Sequence, residues 1–231
     1  SFFPPKRHDD PSFSDPPTQK INPQIVFFPT GGYVNDAVLS VHNIQRACEN
    51  LGGHFLFNSE VVKISQTNGK VNGVELSDGK QVQAPIIINA AGPHSFIVNR
   101  LAGIEGSMKI KTRAVRHEVH FVPSPSIFSY EEKGIVVSDG DAGGYHRPET
   151  GNLILVGSED PACDQLEWID DPDDFNHNIT DDQFKAQTYR LAKRIPELPI
   201  PNKQQGIADL YDVTDDWIPI YDATDLGGFY L

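Results

Sequence analysis

The stretch "PIIINAAGPHS", residues 85–95, joins an aliphatic run to three residues with almost no side chain. A run of β-branched residues is typical of a strand covered on both faces, as in a parallel sheet. Ala90, Ala91 and Gly92 then allow another backbone or a ligand to come very close. Because α/β sheets bind ligands at the carboxyl ends of their strands, the stretch predicts either a ligand site or a tight turn packed against protein.

The residues before this strand predict a helix and two hairpins. "DAVLSVHNIQRACENLGG", residues 36–53, has an apolar helical face and ends at two glycines. Asn35 or Asp36 is suited to cap its first turn. Asn68-Gly69 and Asp78-Gly79 then separate short alternating strands, and both dipeptides favour tight hairpin turns. Helix, strand, hairpin and buried strand in this order predict a unit with α/β character.

The pattern changes after about residue 107. Alternating segments such as "GGYHRP" and "NLILVGSED" are separated by Gly, Pro and acidic turns, which favours an antiparallel sheet. "TDDQFKAQTYRLAKRIPEL" predicts a helix that Thr180 caps and Pro196 ends. The fold class is therefore α/β with α+β character.

Composition excludes several classes of partner. The 231 residues carry a formal net charge of −13, so the average field repels nucleic acid and anionic membrane surfaces. Cys48 and Cys163 have no paired Cys or His spacing, so we expect neither disulfides nor zinc, and a reducing, cytoplasmic location. No apolar run reaches the roughly 20 residues that a membrane span needs, and the proline-rich start does not match a signal peptide.

The order of these motifs resembles the FAD-dependent amine and amino-acid oxidoreductases related to D-amino-acid oxidase, sarcosine oxidase, glycine oxidase and dimethylglycine dehydrogenase. The matching motifs are "GGYV" before a helix, "VVKI", the strand ending in Ala-Ala-Gly, "YHRP…LILVG" and "LYDVTDDWIPIYD". Each motif is weak alone, but all occur in order over residues 25–231. The resemblance implies an FAD-binding α/β domain next to an antiparallel substrate-binding sheet.

The resemblance also divides the chain. It implies a partial FAD-binding domain (25–106), an antiparallel substrate-binding domain (107–206) and a return toward the FAD-binding domain (207–231). Residues 1–24, before the match, are rich in Pro, Asp and Ser and have no period of 2 or 3.6, which predicts an extended or poorly ordered segment. Family members begin with a G-x-G-x-x-G strand, turn and helix unit that holds the FAD pyrophosphate, and no such motif is present in these residues. The glycine-rich segment that ends the family's fold is not matched either. We therefore expect a fragment that binds FAD weakly or not at all.

Cofactor-binding residues follow from the resemblance alone. Val62, in "EVVKI", matches a position whose backbone faces the adenine of FAD, although a plain core valine explains its side chain equally well. Ala90, Ala91 and Gly92 match the strand end that passes the adenosine and pyrophosphate. On this interpretation, the small residues clear room for the cofactor.

Substrate-binding residues are expected on the sheet. Tyr145 and Arg147 match the "YHRP" motif, and alternation along a strand turns His146 to the opposite face. Arg147 has a geometry suited to a substrate carboxylate, although a surface ion pair with one of the many acids is the alternative. Tyr211 stands where the amino-acid oxidases carry their carboxylate-binding arginine. This departure favours secondary or tertiary amines, or N-methylated glycine derivatives, over simple amino acids.

Two other clusters do not predict a metal. In "RHEVH", Glu118 and His120 share one face of a strand while His117 lies on the other, and no third ligand is evident. The acidic run at residues 170–174 lacks the alternating oxygen ligands and the turn glycine of a calcium loop.

Three functions remain open from the sequence. The first is a fragment of a flavin-dependent oxidoreductase that acts on a small amine, an N-methylated amino acid or an amino acid, with no catalytic residue assigned. The second is a non-catalytic relative of the same fold that regulates or binds a partner protein. The third is another flavoprotein, such as a hydroxylase, which the "LYDVTDDWIPIYD" segment disfavours.

Overall fold

The computed structural model describes residues 4–16 and 24–231. Its helices are α1 Ala37–Asn50, α2 Ser95–Leu101, α3 Tyr130–Lys133 and α4 Asp181–Ala192. Its strands are β1 Val61–Thr67, β2 Lys70–Leu76, β3 Gln81–Gln83, β4 Ile87–Ile88, β5 Arg113–Pro123, β6 Val137–Asp139, β7 Gly144–Glu149, β8 Leu153–Ser158, β9 Glu167–Ile169, β10 Gly206–Val213 and β11 Phe229–Tyr230. This is an α/β fold with mainly antiparallel sheets, as the sequence predicts.

The described chain forms two compact units. Unit 1 comprises the described residues up to Ile44, His117–Glu167 and Asn176–Asp209. Unit 2 comprises Gln45–Arg116, Trp168–Phe175 and Leu210–Leu231. Residues 25–44, which we assigned to the FAD-binding domain, are counted with unit 1. Most of helix α1 lies in this region, and none of its residues is buried.

Unit 1 consists of a sheet covered on one face by helix α4. The strand order is β10-β5-β8-β7-β6, and the pairs β5–β8, β8–β7 and β7–β6 are antiparallel. Thr180 caps α4 by accepting a hydrogen bond from the backbone N–H of Gln183 at 3.3 Å. The core contains Val122, Tyr130, Ile154, Val156, Phe184, Leu191 and Leu198.

Unit 2 contains the two predicted hairpins. Strands β1, β2 and β3 form an antiparallel sheet in sequence order. Asn68 and Gly69 both have positive φ between β1 and β2, and Gly79 has a φ of +83° between β2 and β3. Asparagine and glycine tolerate this left-handed conformation, which confirms the two turns. The core contains Ile64, Val71, Ala102, Ile104, Leu226 and Phe229.

The strand that opened the sequence analysis is shorter and more exposed than predicted. Within the described residues, β4 pairs only with β11, and the two strands are parallel. Ile86 and Ile88 are 58% and 68% exposed. The expectation of a strand covered on both faces is therefore wrong for this structure. An aliphatic run shows that a strand is suited to burial, but only neighbouring elements can bury it.

Helix α1 also exposes its apolar face. Asp36 caps the helix, as predicted, by accepting a hydrogen bond from the Leu39 N–H at 2.8 Å. Yet Val41 and Ile44 are 62% and 69% exposed. An apolar helix face of this kind normally packs on another element.

The first segment differs from the predicted extended or poorly ordered chain. Residues 7–15 form successive turns, and this segment packs against α4. The Arg7 guanidinium lies 2.5 Å from the Asp182 carboxylate, and the Lys193 ammonium lies 4.1 Å from the centroid of the Phe13 ring. These side-chain contacts replace the hydrophobic period that the segment lacks. Residues 17–23 lie outside the described residues.

Candidate functional site

The face of the unit 1 sheet that points away from α4 carries two of the predicted site residues. Cross-strand partners run from Val119 through Gly157 to Tyr145, and from Phe121 through Leu155 to Arg147. Successive residues of a strand point to opposite faces, so these six residues share one face, which we call the Tyr145 face. Tyr145 and Arg147 are thus brought side by side, as the sequence predicts.

The absence of a side chain at Gly157 positions the ring of Tyr145. A Cβ atom at position 157 would lie 2.5 Å from both the phenolic oxygen and Cε1 of Tyr145. The ring therefore lies across strand β8, in space that only glycine leaves open. Sequence reasoning missed Gly157, because its role depends on the strand register.

Arg147 is held by three contacts. Its Nη1 donates to the Pro148 carbonyl at 2.9 Å and lies 2.9 Å from Oε2 of Glu149. Its guanidinium carbon lies 5.0 Å from the centroid of the Tyr33 ring, within the range of a cation–π interaction. The ion pair that we considered as an alternative role for Arg147 is thus present, and it uses one nitrogen of the guanidinium.

His146 lies on the buried face, as strand alternation predicts. Its Nδ1 and the Tyr130 hydroxyl are joined by a hydrogen bond of 2.5 Å. Burial lowers the pKa of His146 to about 4, and it raises the pKa of Tyr130 to about 12. At neutral pH both groups are therefore uncharged, and the bond fastens α3 to β7 beneath Tyr145 and Arg147.

Acid is expected to destabilise unit 1 through His146. The pKa is about 4 in the fold and about 6.5 in an unfolded chain, so the stability from keeping His146 neutral is complete above pH 6.5 and is lost as the pH falls toward 4. The loss reaches at most about 3 kcal/mol, because each tenfold difference in proton affinity between the folded and unfolded chain corresponds to about 1.4 kcal/mol. Urea unfolding at pH 7 and pH 4.5 measures this loss.

The variants for this measurement are His146→Asn and His42→Gln. His146→Asn should lose markedly less stability between the two pH values than the unmodified chain does. His42 is exposed on α1, and its replacement should leave the pH dependence unchanged. Equal pH dependence in all three proteins would contradict the assignment to His146.

A buried polar network lies behind the Tyr145 face. The Glu118 carboxylate accepts hydrogen bonds from the N–H and the hydroxyl of Thr180 at 2.8 and 2.9 Å, and Oε2 lies 3.1 Å from Nε2 of His120. Gln187 donates to the Glu118 carbonyl at 3.0 Å, and its amide oxygen lies 2.8 Å from Nδ1 of His120. The network joins the amino end of α4 to strand β5. Sequence reasoning placed Glu118 and His120 on one face but missed these partners.

His117, the second residue of the "RHEVH" motif, points away from this network. His117 Nε2 lies 3.1 Å from the Asp160 carboxylate, on the face opposite Glu118 and His120. Among the described residues, no group of three or more His, Cys, Asp and Glu side chains is arranged to hold a metal ion. In the same residues, no helix is both long and apolar enough to cross a membrane.

The other predicted site residues lie in unit 2. Ala90 and Ala91 are exposed, and a Cβ added at Gly92, whose φ is +55°, would meet no atom within 4 Å. Asn89 fixes the direction of the chain there: its side chain donates to the Ser95 carbonyl and to Asn99, both at 2.9 Å, and accepts from the Ala91 N–H. Among the described residues, no side chain therefore fills the space beside Gly92.

Val62 and Tyr211 complete the set in unit 2. Val62 is 40% exposed on β1, where a plain core valine would be buried. The Tyr211 ring packs edge-on against Trp217, with centroids 6.5 Å apart. The neighbouring Asp212 was missed by sequence reasoning: burial raises the pKa of its carboxyl group, and the nearby hydroxyl groups of Thr112 and Ser95 oppose the shift.

Solved structures of flavoenzymes share this fold. L-proline dehydrogenase from P. horikoshii superposes with a TM-score of 0.65 at 18% identity, over 83% of this chain and 48% of that one. L-α-glycerophosphate oxidase from Mycoplasma pneumoniae, with FAD bound, superposes with a TM-score of 0.65 at 19% identity. The match covers 84% of this chain and 49% of that one. Glycine oxidase from Bacillus cereus superposes with a TM-score of 0.57 at 18% identity. The match covers 80% of this chain and 46% of that one. The chain thus spans about half the length of these structures.

Sequence comparison gives the family. No curated protein matches the chain significantly. A family model described as FAD dependent oxidoreductase matches residues 13–231, which is nearly the whole chain. The order of motifs, the mainly antiparallel fold and this match agree, and the chain belongs to the FAD-dependent oxidoreductase family.

Proposed function

We propose that this chain is part of a longer FAD-dependent oxidoreductase that oxidises a small amine, an N-methylated amino acid or an amino acid. The observation that carries the proposal is the Tyr145 face, where a phenol and a guanidinium stand side by side on one face of the sheet. The two side chains provide a hydrogen-bonding group and a fixed positive charge. The family match and the glycine oxidase structure support this class of reaction.

The residues of unit 2 fit the cofactor of the family. Ala90, Ala91 and Gly92 are the residues that would hold FAD, because they leave open space beside the end of β4. The backbone at Val62 would contact its adenine. When bound, FAD would accept a hydride from the carbon next to the substrate nitrogen.

The residues of unit 1 would bind and orient the substrate. Tyr145 would offer its hydroxyl from a ring that Gly157 holds across strand β8. Arg147 would bind a carboxylate of the substrate, since a planar guanidinium matches it with two parallel hydrogen bonds. Phe121 and Leu155 would exclude water beside them on the same face. Tyr211, in unit 2, remains a proposed substrate-binding residue.

Exposed apolar surfaces support the idea of a longer protein. Helix α1 has no buried residue, and the two-stranded parallel sheet of β4 and β11 leaves Ile88 exposed. Parallel strands occur almost only where both faces of the sheet are covered. Further polypeptide, from the half of the related structures that this chain does not match, would bury these surfaces.

The 231-residue chain is expected to bind FAD weakly or not at all. Quenching of FAD fluorescence during titration measures the affinity, and a yellow purified protein would contradict the expectation. The natural protein with the residues encoded on both sides should bind FAD. In that protein, Ala91→Leu should weaken binding at least about tenfold by filling the open space. Ser77→Leu adds the same side chain in the β2–β3 turn and should not.

Substrate oxidation is tested by anaerobic bleaching of the flavin in the longer protein. Proline, glycine, N-methylglycine and N,N-dimethylglycine form a suitable panel. Bleaching by one or more of them supports the proposal. A protein that binds FAD yet is bleached by none of a wide panel of amines would favour the alternative, a non-catalytic relative that binds a partner protein.

We also propose a cytoplasmic location. The two cysteines of the chain, Cys48 and Cys163, are both free thiols. Unpaired cysteines are typical of reducing compartments. Alkylation of both thiols in freshly lysed cells, without a reductant, checks this location.

A further inference from the structure

The guanidinium of Arg147 contacts neighbouring residues through one of its three nitrogens, Nη1. Nη1 donates a hydrogen bond to the Pro148 carbonyl and forms an ion pair with Glu149, and the ring of Tyr33 lies 5.0 Å from the guanidinium carbon. Among the described residues, none accepts a hydrogen bond from Nε or Nη2. These two nitrogens form the other edge of the fork, which is the edge that binds a carboxylate with two parallel hydrogen bonds.

Glu149 changes which ligands this edge can hold. Its carboxylate lies 2.9 Å from Nη1 and already compensates the charge of Arg147. A second carboxylate on the open edge would be repelled by Glu149 across the guanidinium. A zwitterion carries no net charge, and the attraction of its ammonium to Glu149 offsets the repulsion of its carboxylate.

We propose that Glu149 is a specificity-determining residue, which makes the Arg147–Tyr33 site prefer zwitterionic amino acids, including N-methylated ones, over simple carboxylates. This inference rests on the proposed function, because it assigns the Tyr145 face to the substrate. Tyr33, from the "GGYV" turn, acts as a positioning residue: its ring lies 5.0 Å from the guanidinium carbon and holds the orientation of the group.

The test uses two probes on the 231-residue chain without flavin, sodium acetate and N-methylglycine. Binding is followed by the ¹H–¹⁵N NMR signal of Arg147 Nε, and affinities are obtained by titration. In Glu149→Gln, the affinity for acetate should rise about tenfold, as expected for removing a nearby like charge in a partly exposed site. The affinity for N-methylglycine should change less than about threefold.

Matched variants separate this effect from general changes of charge or stability. Glu197→Gln removes the same charge from an exposed site after α4 and should leave both affinities unchanged. Arg147→Lys keeps the positive charge but cannot donate two parallel hydrogen bonds to one carboxylate. It should lower the affinity for both probes at least about fivefold. Tyr33→Leu should broaden the Arg147 Nε signal and weaken both probes while the unfolding midpoint stays within error.

Two outcomes would overturn the proposal. Acetate binding that is unaffected by Arg147→Lys would show that the open edge is not the anion site. An equal gain of affinity for acetate and N-methylglycine in Glu149→Gln would remove the selectivity assigned to Glu149. Failure of flavin bleaching in the longer protein would overturn the proposed function, but it would not alter these affinities, which are measured without flavin.

Discussion

Replacing Glu118 with alanine is expected to destabilise unit 1 by about 3–5 kcal/mol, because each buried polar group that loses its partner costs about 1–3 kcal/mol and Glu118 has several such partners. Glu118 and His120 are 3% and 0% exposed. Without the carboxylate, the N–H and hydroxyl of the partly buried Thr180 lose their acceptor, and Nε2 of the fully buried His120 loses its partner. The amino end of α4 would then be bound to β5 by fewer contacts.

Hydrogen exchange measures this loss where it occurs. Protection of the α4 and β5 amides should fall in Glu118→Ala. The fluorescence of Trp168 and Trp217, which both lie in unit 2, follows that unit separately. Glu197→Ala, at an exposed site, should change stability by no more than about 0.5 kcal/mol. A loss below about 1 kcal/mol in Glu118→Ala would show that the network does not stabilise unit 1.

Gly157→Val is expected to displace the Tyr145 ring and to cost about 1–3 kcal/mol of stability, as overpacking does. A Cβ at position 157 would lie 2.5 Å from the phenolic oxygen, so the ring has to leave strand β8. In the longer protein, KM for the substrate should rise because the hydroxyl no longer has a fixed position. Urea unfolding and nuclear Overhauser contacts of the ring measure the two effects in the 231-residue chain.

A second substitution tests the cause of this loss. Tyr145→Ala combined with Gly157→Val should recover part of the stability, since the two positions contact each other and their effects are not additive. Gly140→Val adds the same side chain where the nearest atom is 3.7 Å away, and it should be tolerated. An additive double variant would mean that the ring does not depend on Gly157.

The sequence predicted the elements whose signals are local. Asp36 and Thr180 cap their helices because an acceptor side chain before a helical pattern satisfies its first free N–H groups. Asn68-Gly69 forms a tight turn because both residues accept positive φ. The period of two along a strand placed His146 opposite Tyr145 and Arg147. Each of these predictions needed only neighbours along the chain.

Two predictions that depended on elements distant in sequence differ from the structure. The apolar residues at 86–88 were expected to be buried, yet Ile86 and Ile88 are exposed because β4 has one neighbouring strand among the described residues. The first segment was expected to be extended or poorly ordered, yet residues 4–16 pack against α4 through Arg7 and Phe13. Burial and docking depend on what the rest of the chain supplies.

The sequence by itself determined the fold class, the family resemblance and the faces on which Tyr145, Arg147 and the "RHEVH" residues lie, because side-chain direction follows from the strand period alone. Only the tertiary structure decided that Gly157 makes room for Tyr145, that Tyr33 and Glu149 hold Arg147, and that Thr180 and Gln187 complete the network of Glu118. Apart from the Arg147–Glu149 ion pair within strand β7, these contacts join residues on different elements. Strand register and the docking of helices set their distances, and no local pattern of residue types encodes those distances.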